Sequence, residues 1–186
     1  MTPDPTVVHS LRRVFHDGFS AHDIAEPLVS FDASSSATVV RACMVDQGYL
    51  VVGVRTNGLV SGYLEQNDLG EGACGDFARP LSQVPVVLDT TPLSEVVSGL
   101  NDSPRLFVSL LGRVGAIVTR SDLQKPPVRM WLFGMVTLLE MRFSKMIEIA
   151  CPDDDWKQYL SEGRVQKAVE LQAERARRQQ PASVLD

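Results

Sequence analysis

Two stretches of the chain carry the same succession of apolar and polar positions. Residues 29–32 (VSFD) are a short apolar run ending in aspartate, and residues 84–89 (VPVVLD) are another. Each leads into helical spacing, SSATVVRACMVDQ in the first half and PLSEVVSGLND in the second, with Val39-Val40 and Val96-Val97 in corresponding places. Two further apolar runs follow in each half around a glycine-containing turn. These are YLVVGV, RTNG and LVSGYL, then RLFVSL, LGR and VGAIV. Each half closes on an aspartate–leucine pair, Asp68-Leu69 and Asp122-Leu123. A hexamer precedes each half, DIAEPL at 23–28 and DFARPL at 76–81. The predicted order is strand, helix, strand, strand, helix start, written twice. Asn57-Gly58 suits a tight hairpin. A unit of about fifty residues is marginal alone, and two can cover each other's apolar faces. A cleft where they meet favours a ligand.

The flanks read as helices. DPTVVHSLRRVFHDGFS predicts a short amphipathic helix capped by Asp4, with Pro5 in its first turn and Gly18 at its end. Val7, Val8, Leu11, Val14, Phe15 and Phe19 share its apolar face. His9, His16 and His22 read as surface or packing residues. After Pro127, VRMWLFGMVTLLEMRFSKMIEIA is apolar nearly all round, which predicts burial on more than one side. Trp131, Phe133, Met135, Leu139, Phe143 and Met146 exceed what one small domain covers, so packing on a second chain is expected. The tail predicts one or two helices broken at Gly163, acidic at Asp153 to Asp155 and basic at Arg175, Arg177 and Arg178. The final PASVLD is expected to be disordered. The segments are then 1–21, an N-terminal helical piece; 22–75 and 76–125, the two repeats; 126–150, the apolar helix; and 151–186, the charged tail.

Composition narrows the classes. The chain has 186 residues, 44% of them apolar, and a formal net charge of −5, without a long basic stripe before the tail. That argues against a dedicated nucleic-acid binder. The start MTPDPTVV is acidic and proline-rich, unlike a signal peptide. The most apolar stretch, Met130 to Leu139, is too short to span a bilayer, so a soluble, cytoplasmic protein with no membrane contact is expected. Cys43, Cys74 and Cys151 are far apart and read as free thiols, with no metal-ligand spacing. No P-loop, HExxH or GxSxG motif occurs, and Cys74 in EGACGDF has no histidine nearby in sequence, so no catalysis is expected.

The candidate chemistry lies in GAIVTRSDL, residues 115 to 123, where an apolar strand stops in a polar turn. Thr119, Ser121 and Asp122 are all good helix N-caps, and capping alone is one reading. The other takes the group together. A carboxylate with two free oxygens can accept both hydroxyls of a ribose, so Asp122 would face a sugar. The Thr119 hydroxyl, exposed backbone N–H groups and Arg120 would face phosphates. A flat base would then lie among Val84, Pro85 and Val86. In the first half, Asp68 aligns with Asp122 and puts Glu65 opposite Thr119, Gln66 opposite Arg120 and Asn67 opposite Ser121. Glu65 sets a negative charge beside the expected phosphate, at a cost on the order of 4 kcal/mol for like charges about 4 Å apart before solvent reduces it. One good phosphate site is therefore expected, in the second half.

The repeat, its order of elements and the Gly115–Thr119-x-x-Asp122 motif resemble a tandem pair of cystathionine-β-synthase (CBS) domains over residues 22 to 125. The resemblance implies an α/β (α+β) fold of two βαββα repeats and a regulatory module that binds an adenine nucleotide (AMP, ADP or ATP, with or without Mg²⁺) in the cleft between them. It implies Thr119 as a phosphate contact and Asp122 as a ribose contact, and it implies association in twos. The binding set expected is Thr119, Arg120, Ser121, Asp122, Val84, Pro85, Val86 and Asp68. A shape or assembly change would pass to an unidentified protein partner. The alternative is a dimeric scaffold with a vestigial site. The tail resembles those of bacterial CBS proteins and adds no activity.

Overall fold

The computed structural model describes residues 5–179. Asp4 and the final PASVLD lie outside the described residues, as do the side chains of Val7 and Val8. The chain runs α1 (Pro5–Asp17), β1 (Glu26–Pro27), β2 (Ser30–Asp32), α2 (Ala37–Gln47), β3 (Val51–Thr56), β4 (Leu59–Glu65), α3 (Cys74–Phe77) and β5 (Arg79–Pro80). It continues with β6 (Val86–Leu88), α4 (Leu93–Asp102), β7 (Arg105–Leu110), β8 (Arg113–Thr119), α5 (Pro126–Ala150) and α6 (Glu162–Gln179). Residues 5–138 form one compact unit and 139–179 a second, so α5 belongs to both.

The doubled pattern builds two four-stranded sheets, in the orders β2-β3-β4-β5 and β1-β8-β7-β6. In each, the first strand of the repeat runs parallel to the second, as a helical crossover requires, and the second and third form a hairpin. Both hairpins turn through two residues of positive φ, Asn57 (53°) with Gly58 (78°) and Leu111 (50°) with Gly112 (78°). That is the twist such loops need. Asparagine and glycine adopt it readily, whereas Leu111 does so at a fully exposed tip.

The repeated hexamers have a specific task. Each supplies a two-residue strand to the other repeat's sheet. β1 pairs with β8 through Glu26↔Ile117 and Pro27↔Ala116, and β5 pairs with β4 through Arg79↔Tyr63 and Pro80↔Gly62. Proline lacks an N–H and suits such an edge.

Each repeat packs its helix on its sheet through one stripe. Ala37, Val40 and Met44 are buried on α2, and Leu93, Val96 and Leu100 on α4. The identical spacing places Val40 opposite Val96, one residue away from the pairing expected above. A third cluster joins the two sheets. Leu28, Tyr63 and Phe107 are buried together, with Val51, Val60, Leu81, Val84, Val114 and Ile117 packed around them.

In the flanking helices one expectation is corrected, the place where the tail is interrupted. α5 buries Val128, Trp131 and Gly134, and Phe15 of α1 lies so close to Gly134 that a Cβ there would stand 2.0 Å from its ring. Leu132, Phe133, Val136, Leu139, Phe143, Met146 and Ile149 are all at least half exposed among the described residues. Gly163 does not break the tail. The interruption lies before it, between a 3-10 segment (Pro152–Tyr159) and α6, in whose first turn Gly163 sits.

Candidate functional site

β8 ends at Thr119, and the chain enters a 3-10 turn, Arg120–Gln124. Asp122 closes that turn. Its Oδ2 accepts the Thr119 N–H (2.7 Å) and the Thr119 hydroxyl (2.8 Å), and the Ser121 and Thr119 hydroxyls stand 2.7 Å apart. Asp122 is 6% exposed. Its Oδ1 faces the Lys125 ammonium at 2.9 Å, which also bonds Glu26 and the Ile24 carbonyl of the first repeat. Desolvation is the largest influence on Lys125 and lowers its pKa. The bonds to Glu26 and Asp122 together outweigh it, and the group is held above the ordinary lysine value.

Two of the expected site residues are already engaged within the chain. A carboxylate offers about four acceptor positions. Three on Asp122 are taken, so one remains, on Oδ1, rather than a pair of free oxygens for both ribose hydroxyls. Arg120 is held by backbone carbonyls. Its Nε donates to the Leu100 carbonyl (2.9 Å) and a terminal nitrogen to the Asn101 carbonyl (3.3 Å), closing the C-terminal end of α4.

Val84, Pro85 and Val86 lead into β6. Val84 packs on the inter-sheet cluster, the Pro85 carbonyl accepts the Phe107 N–H (3.1 Å), and Val86 is 42% exposed. Pro85 and Val86 thus present accessible apolar surface on the second repeat's sheet.

The corresponding turn of the first repeat, Gln66–Asp68, carries a different charge pattern. Glu65 at the end of β4 accepts from Arg105 at 2.7 Å and from Arg79 at 3.4 Å. Arg79 also bridges Asp68 at 2.6 Å. The Tyr63 hydroxyl, ahead of the Asp68 and Glu65 carboxylates, pushes the Arg79 pKa up. Arg105 starts β7 directly opposite Thr119 in the β7–β8 ladder. The expected set omitted Arg79, Arg105, Lys125 and Glu26. Lys125 follows Asp122 by three residues, whereas strand register brings Glu26, Arg79 and Arg105 to the turns; the sequence signal for the hexamer pair was the charge at corresponding places, Glu26 in one and Arg79 in the other.

Cys74 is fully buried, and burial raises its thiol pKa, disfavouring the thiolate. Among the described residues no group of three or more His, Cys, Asp or Glu side chains could hold a metal ion. Among those same residues no helix is long and apolar enough to cross a membrane. A surface concavity lined by His9, Arg12, Arg13, His16 and Asp17 runs along α1 and includes none of the expected site residues.

Comparison with solved structures agrees with the doubled sheet. CBSX2 in complex with AMP superposes with a TM-score of 0.53 and 19% identity, covering 61% of this chain and 98% of that one. CbpB in complex with c-di-AMP gives 0.52 and 14%, over 75% of this chain and 99% of its own. The fold is that of a CBS-domain pair. The CBS domain of a bacterial CNNM/CorC-family Mg²⁺ transporter, in complex with ATP, gives 0.50 and 14%, over 68% and 98%. No protein-family model matches the sequence, and no curated protein matches it. The CBS likeness is thus one of backbone architecture.

Proposed function

We propose that this CBS pair is a non-catalytic sensor that holds one adenine nucleotide at the second repeat and passes a change of shape or assembly to a protein partner. The observation that carries the reading is the Thr119-x-x-Asp122 turn. A buried carboxylate keeps one acceptor position for a ribose hydroxyl, with the Thr119 and Ser121 hydroxyls beside it for phosphate. Val84, Pro85 and Val86 offer the apolar surface for the base. Arg105, across the ladder from Thr119, takes the place of Arg120 as the arginine for the phosphate. The AMP, c-di-AMP and ATP named with the CBS neighbours support an adenine ligand. Titration calorimetry with AMP, ADP and ATP is expected to give close to one site per chain for at least one of them. No heat and no competition with any of the three would remove this reading and leave the vestigial scaffold.

Assembly belongs to the same proposal. Leu139, Phe143 and Met146 are exposed on the second unit's part of α5 at spacings of four and three, the pattern of a helix seam. A second α5 fits it. Sedimentation is expected to show two chains, and Leu139→Glu or Phe143→Glu to shift the species to one. A single-chain species over a wide concentration range would exclude the seam.

A further inference from the structure

We propose that Glu65 is an internal anion filling an arginine pair, so that a phosphate-bearing ligand at the repeat junction must compete with the protein's own carboxylate for Arg79 and Arg105. Two guanidiniums from elements distant in sequence, β5 and β7, converge on the last residue of β4, at 3.4 and 2.7 Å. Guanidinium binds carboxylate and phosphate through the same planar set of donors, so one can stand in for the other. At the corresponding position the second repeat carries Thr119, which has no charge. Arg105 stands opposite Thr119 in the ladder, and directly opposed residues point to the same face. Its side chain therefore reaches from one exit turn to the other.

The charges of the cluster balance. Arg79 and Arg105 face Glu65 and Asp68, and loss of the Glu65 charge leaves one positive charge uncompensated. The Arg79 side chain is 45% exposed and that of Arg105 is 20% exposed, so a small anion can reach the first and penetrate towards the second. The sequence suggested that Glu65 closes the first repeat to phosphate by direct repulsion. The geometry points to occupancy instead: the cationic groups are present and already in use.

The test is rescue of melting temperature by inorganic pyrophosphate, which has neither base nor ribose and so decides the matter independently of the adenine-nucleotide reading. Glu65→Thr is expected to melt below the wild type without anion and to regain most of the loss in pyrophosphate. Its pyrophosphate affinity should be at least tenfold above that of the wild type. Glu65→Gln, which keeps the length and an acceptor, is expected to behave likewise. Adding Arg105→Met to either should abolish the response. Equal responses of wild type and variants, failure of pyrophosphate to restore either variant, or a response that survives loss of Arg105 would each overturn the proposal.

Discussion

Phe107→Ala is expected to destabilise the protein by about 3–5 kcal/mol, the range for emptying a buried aromatic site. Phe107 is fully buried, and its ring stands 5.2 Å from that of Tyr63, tilted at 48°. It is the most deeply buried side chain of the cluster between the sheets, and Val84 rests on the same cluster. The cavity would open between two layers that cannot collapse without shifting whole sheets. At about 2–4 °C per kcal/mol for a chain of this size, melting should fall by roughly 6–20 °C. Nucleotide affinity should fall too, because the surface offered to the base loses its support. A loss below about 1.5 kcal/mol in urea unfolding, smaller than any usual aromatic truncation, would show that the seam does not bind the sheets.

Asp122→Ala is expected to injure both folding and binding. A cap alone is worth about 1 kcal/mol. Here truncation also orphans the Thr119 N–H and weakens the hold on Lys125, so a stability loss of about 2–3 kcal/mol is expected. Affinity for an adenine nucleotide should drop roughly tenfold or more, since one hydrogen bond to a charged acceptor is worth about 1.5–3 kcal/mol. Lys125→Met separates the two effects. It removes the ion pair, lowering stability, but frees a lone pair on Oδ1, so affinity should hold or rise. If Asp122→Ala keeps its full affinity while Lys125→Met loses it, the ribose belongs to another group.

The doubled order of elements was readable because periodicity and turn chemistry are local. Asn57-Gly58 and the buried triplets on α2 and α4 follow from spacings of two, three and four residues. The Thr119–Asp122 turn was readable for the same reason. What the sequence hid was register. Arg105 reaches Glu65 across forty positions of chain, and Lys125 reaches Glu26 across the repeat boundary. The charge of Arg120 also hid where it bonds within the chain, on the carbonyls at the end of α4. On α5, composition revealed that the helix is more apolar than one small domain covers, but not which of its residues the chain buries.

The exchange of short strands has a consequence for synthesis on the ribosome. β5 follows β4 within about fifteen residues, so the first sheet can close almost as soon as it emerges. β1 must wait for β8, roughly ninety residues later. At about 5–20 residues per second, that strand stays unpaired for on the order of ten seconds. During that interval Glu26, and the proline beside it, keep a nascent edge charged and short of a donor. The hexamer thus shields the growing chain from its neighbours before it ever joins a sheet.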